Sequence, residues 1–152
     1  MERSPAPMVP ILLVAAATSF SPSAQQPRSA QAAMDGLVTR EEALRIMENP
    51  LASTIGRVEA ERVQRVAVAN ALLEHCHLDW GRLFRALTAY HRHAQGRSEA
   101  EMARITVWHG AWQGRTLATL RRERPNCDEE LRRAALGSEA RQLQALAPGD
   151  ET

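Results

Sequence analysis

Residues 98–120 read SEAEMARITVWHGAWQGRTLATL, and the fold class turns on that stretch. Ser98 with Glu101 makes a capping box: the hydroxyl accepts from the N–H three residues on, and the carboxylate reaches back to the Ser98 N–H. From that start Met102, Ile105, His109, Trp112, Thr116 and Leu120 recur at three- and four-residue steps, with Trp108 and Leu117 beside them. That is the period of one helix face. Pro125 ends the helix.

The same grammar extends in both directions. Downstream, Asp128-Glu129-Glu130 supplies negative charge suited to a helix start. Leu131, Ala134, Ala135 and Leu136 then run to Gly137, a C-cap residue, and Ser138 caps a last stretch through Leu146. Upstream, Asp79 is an N-cap for a helix with Trp80, Leu83, Phe84, Leu87 and His91 on one face and Tyr90 at its flank, broken at Gln95-Gly96-Arg97. Before it a long helix is expected from Ser53 or Thr54 to about His75, with Ile55, Val58, Val66, Ala69, Leu73 and Cys76 on its stripe and Val63, Ala67 and Leu72 widening it. Thr39-Arg40-Glu41-Glu42 is a further capping box, opening a short helix with Ala43, Leu44 and Met47 that stops at Asn49-Pro50.

Every segment has helical period and none alternates like a strand. The class is all-α: a small bundle of three principal helices with short helices at each end. Composition agrees. Of 152 residues, 44% are hydrophobic and 26 are Ala, with few aromatics, which argues against a β fold. All 19 basic residues other than His are Arg. So complete an absence of Lys belongs to coding bias rather than to one site. The net charge of +1 excludes a polyanion binder working by bulk charge, so no nucleic-acid partner is expected. It also averages an uneven chain. Asp79 to Pro125 holds nine Arg against four acids, a balance of +5, while Asp35 to Leu78 balances at −2 and Asn126 to the end at −3.

The amino end reads as an exported leader. A polar start, the apolar run Met8–Ala17 and a small-residue exit have the build of a signal peptide over residues 1–24, cleaved somewhere in 17–24. The apolar run is about half of a membrane span, and no later stretch approaches one. Residues 25–34 read as a flexible linker, 35–147 as a single helical domain and 148–152 as a polar tail. Cys76 and Cys127 are the only cysteines. An oxidising periplasm would join them as one disulfide, stapling the end of the first long helix to the loop after the third. If the helices run up, down and up, those points share one end of the bundle.

Chemistry-bearing residues cluster in the middle. All five histidines lie between positions 75 and 109. His75 with His77, or His91 with His93, plus an acid such as Asp79, are the candidate ligands for a transition metal. Histidines two apart diverge on a helix, however, and the two pairs lie a helix length apart. His91 and His109 sit on apolar stripes, as core groups or as sensors that charge near pH 6. Trp80, Phe84, Tyr90, Trp108 and Trp112 fall on two helices, facing each other as core or framing a partner groove. Gly110 and Gly114, four apart on one helix, suggest close approach by a backbone or a ligand. No nucleophile elbow, phosphate loop or zinc-protease motif is present, so no enzyme, no catalytic residue and no obligatory cofactor is expected.

These features point to an exported, periplasmic or secreted, non-enzymatic helical binding module. It would meet a protein partner of the cell envelope through Trp108, Trp112 and Arg115. The alternative is a small metal- or ligand-binding protein using the His-rich helix ends.

Overall fold

A computed structural model describes residues 39–147. The leader, the linker, residues 35–38 and the tail inferred above lie outside the described residues. Six α-helices follow in order: α1 Arg40–Met47, α2 Ala52–Ile55, α3 Arg57–His75, α4 Gly81–Ala89, α5 Glu99–Glu123 and α6 Glu129–Leu146. A π turn, Tyr90–Ala94, continues α4. No strand occurs among the described residues, so the small all-α fold is the one expected.

Helix α3 is the hub and packs against α4, α5 and α6. Val63, Val66, Ala67, Ala69, Ala71 and Leu73 are fully enclosed there. Its many alanines let three neighbours approach at once. Two buried side-chain pairs join α3 to α5, Asn70 to His109 and Glu74 to Gln113, both at a sequence separation of 39. Equal separations mean that the two helices run the same way where they meet. Helix α4 returns between them, giving the up, down and up course. The Cys76–Cys127 disulfide closes the shared end, with Cα atoms 5.1 Å apart. Beside it the His75 Nε2–H donates to the Arg124 carbonyl at 2.7 Å.

Helix starts follow their capping residues. Ser98 and Glu101 complete the capping box of α5, the Asp128 carboxylate accepts from Leu131 N–H at 2.8 Å, and the Thr39 hydroxyl accepts from Glu42 N–H. Asp79 works one step out of place. It accepts from Gly81 N–H at 2.9 Å, while Trp80 holds the N-cap position. The end of α3 is a Schellman motif: Leu78 N–H donates to the Leu73 carbonyl and His77 N–H to that of Glu74. His77 takes the left-handed position there, φ +55°, where glycine is usual.

Four local expectations give way. The long helix expected from Ser53 breaks at Gly56, whose φ of +87° no right-handed helix accepts. The break separates the phases of α2 and α3, so Ile55 is buried while Val58, expected on the same stripe, is 66% exposed. In α1, Leu44 is 59% exposed and Ala43 and Ile46 take the half-buried positions. The stripe on α5 also drifts. Met102, Ile105, His109, Gln113 and Leu117 are buried, whereas Trp112, Thr116 and Leu120 lie on its flank. Lastly, Gly137 does not end a helix, and α6 runs through it for 18 residues. Burial of Leu131, Ala135 and Leu146 on either side of Gly137 outweighs the roughly 1 kcal/mol that glycine costs inside a helix.

That last point carries a test. A Cβ at Gly137 would meet only the flexible Arg141 guanidinium, at 3.5 Å. Gly137→Ala is therefore expected to stabilise the domain by about 0.5–1 kcal/mol, read as a higher urea midpoint with unchanged slope.

Candidate functional site

One candidate site grows from the flank of α5. Trp108 and Trp112 are one turn apart on that helix, and their rings pair at 5.1 Å between centroids with planes tilted by 40°. Both are half-buried, packed against the core on their inner side. They form one wall of a groove of about 350 Å³ whose other wall is Pro50, Leu51 and Ala52 with Ala60, Gln64 and the ion pair Arg57–Glu61 from the start of α3. The turn at Gly56 makes this wall, because it lets α2 stand against the side of α3 instead of continuing it.

The expected facing of the two aromatic helices is only partly realised. Phe84 meets the His109 ring at 4.8 Å and Trp80 at 6.2 Å. The tryptophans of α5 turn instead toward α2 and α3. Arg115, seven residues after Trp108, shares their side of the helix and is exposed without lining the groove. Arg104, four residues before Trp108, completes the stripe. Neither arginine makes an ion pair among the described residues. The other arginines of the basic middle are largely paired at short range: Arg92 with Glu99, Arg97 with Glu101 and Arg124 with Asp128.

The candidate metal ligands are not brought together. His75 is engaged by the Arg124 carbonyl, His77 is exposed at its left-handed turn, His91 is fully buried and His93 is exposed. Among the described residues no three His, Cys, Asp or Glu side chains group as a metal would need. Cys76 and Cys127 are joined to each other and offer no thiolate. Gly114 likewise faces open space, so the close approach expected at that position is not made among the described residues.

Two histidines belong to the interior. His109 is 2% exposed and shares a hydrogen bond of 3.0 Å with Asn70. Burial pushes its imidazole down to about 3, so it is neutral and its Nε2 accepts from the Asn70 amide. His91 lies in the π turn with neither ring nitrogen hydrogen-bonded within the described chain. Burial pushes it down to about 4 against the pull of Glu59, whose carboxylate stands 4.0 Å away, with Arg97 and Arg62 adding to the lowering.

Sequence reasoning missed the partners of the tryptophans and the Asn70, Glu74 and Gln113 layer. The layer carried a signal, since Asn70 and Glu74, like His109 and Gln113, are four apart. No helix of the described residues is long and apolar enough to cross a membrane. Comparison of the chain with family models, curated proteins and solved structures returns no match.

Proposed function

We propose that this chain is an exported, non-enzymatic binding module that recognises a protein segment through the Trp108–Trp112 groove. The observation that carries the reading is a pair of half-buried tryptophans beside a concave wall. Stable interfaces concentrate their energy in Trp, Tyr and Arg side chains set in such pockets. Aromatic area of this kind, held at a fixed angle by a rigid helix, loses little entropy on binding. Arg104 and Arg115 stand at either end of the pair, so the fitting partner is an apolar segment flanked by carboxylates. The disulfide and the apolar leader support an oxidising compartment such as the periplasm.

The test is capture from cell-envelope extract by the oxidised chain. A partner retained by the wild type is expected to be lost with Trp108→Ala and with Arg115→Ala, both of which keep the helical circular dichroism spectrum. Retention of the same partner by both variants would remove the groove from consideration.

A further inference from the structure

A second concavity, of about 540 Å³, lies between α4 with its π turn and the first turns of α5. It shares no residue with the tryptophan groove, and it falls in the size range of small-molecule sites. Its inner side is mainly apolar, formed by Phe84, Met102 and Ala103 with the buried Thr106 beside them, and Thr88, Ala89 and His93 complete the lining. Its mouth is charged. Arg92, carried by the π turn, faces Glu99 of α5 with Nη1 to Oε1 at 3.1 Å and Nη2 to Oε2 at 3.4 Å.

The pair at the mouth decides what chemistry fits. It is solvated, with the two side chains 49% and 81% exposed, and a pair of that kind holds together weakly. A ligand able to replace both halves can therefore open it. A lone anion at Arg92 would sit against the Glu99 carboxylate, and a lone cation at Glu99 against the guanidinium. A molecule with a carboxylate and an ammonium on one carbon satisfies both. A large apolar group on that same carbon would reach the floor of the cleft. We infer that this cleft binds a free amino acid with a large apolar side chain. The site is separate from the tryptophan groove and does not depend on it.

Calorimetric titration of the full oxidised chain tests this, with L-phenylalanine as the probe. Hydrocinnamate has the same body without the ammonium, phenethylamine lacks the carboxylate, and glycine lacks the body. Phenylalanine is expected to saturate one site, with each of the other three at least about tenfold weaker. Arg92→Met and Glu99→Gln should each weaken phenylalanine by about tenfold, and Ala103→Phe, which fills the cleft, should abolish binding. Trp108→Ala should leave the affinity unchanged, so failure of the groove and failure of the cleft are read separately. Circular dichroism and the melting midpoint confirm that each variant is folded. Equal affinity for hydrocinnamate, no loss in either charge variant, or no saturable heat up to about 10 mM phenylalanine overturns the inference.

Discussion

Replacing Cys76 and Cys127 together by serine is expected to lower the melting midpoint by on the order of 15–30 °C. The two residues are 51 apart in sequence. Closing a loop of that size removes denatured-state entropy equivalent to about 4 kcal/mol at room temperature. A small domain holds only about 5–15 kcal/mol in all, so one bond supplies a large share. Its position adds to the effect. It ties the end of α3, the hub of the core, to the connection between α5 and α6, both of which pack on that hub. The His75–Arg124 hydrogen bond spans the same gap but contributes only about 1 kcal/mol. Thermal melts with and without reductant check this. Reductant should lower the wild-type midpoint to that of the double variant and leave the variant unmoved. A shift below about 5 °C would mean that the denatured chain is already compact around this loop.

The features legible in the sequence are those decided within one helical turn or by one covalent bond. Ser98 with Glu101 and Asp128 with Leu131 are local bonds between near neighbours, and their residue types announce them. The cysteine pairing needed only that two exist. The misreadings arise where packing competes with propensity. Gly56 and Gly137 carry the same residue type, yet one breaks a helix at φ +87° and the other sits inside one. What separates them is the core on either side, which no local pattern records. The π turn is hidden for a related reason: His91 within it is fully buried, and no residue preference of the segment announces it. Gln113, among the most deeply buried side chains, looks like a surface amide until Glu74 is placed opposite. Trp108 and Trp112 stand out by residue type alone, but the wall facing them, from Pro50 to Gln64, lies far earlier in the chain.

Lowering the pH from 7.5 to 5 is expected to destabilise the domain by about 2–4 kcal/mol, through its two buried histidines. The sign follows from where each proton is taken up. Both imidazoles are held below the ordinary value of 6.5, His109 at about 3 and His91 at about 4. The folded chain therefore refuses a proton that the unfolded chain accepts. The stability of the neutral state is complete above pH 6.5, and it declines as the pH falls toward the folded-state values. At pH 5 one fully excluded histidine costs about 2 kcal/mol. His109 meets that description, since Asn70 of α3 and Phe84 of α4 face it without charge. The Glu74 carboxylate, one turn beyond Asn70 on α3, is taken by the Gln113 amide. His91, held at about 4, still refuses the proton at pH 5 and contributes nearly as much. Glu59 stands 4.0 Å from its ring and favours the imidazolium, whereas Arg62 of α3 and Arg97 after the π turn oppose it, and the neighbouring Tyr90 is neutral. Thermal melts at the two pH values should differ by about 10 °C or more. His109→Gln, which retains a side-chain partner for Asn70, should recover about half of the difference, because one of two similar proton-linked contributions is gone. Equal midpoints for the wild type would show that both rings, 0% and 2% exposed, take up protons in the folded state, and would overturn the prediction.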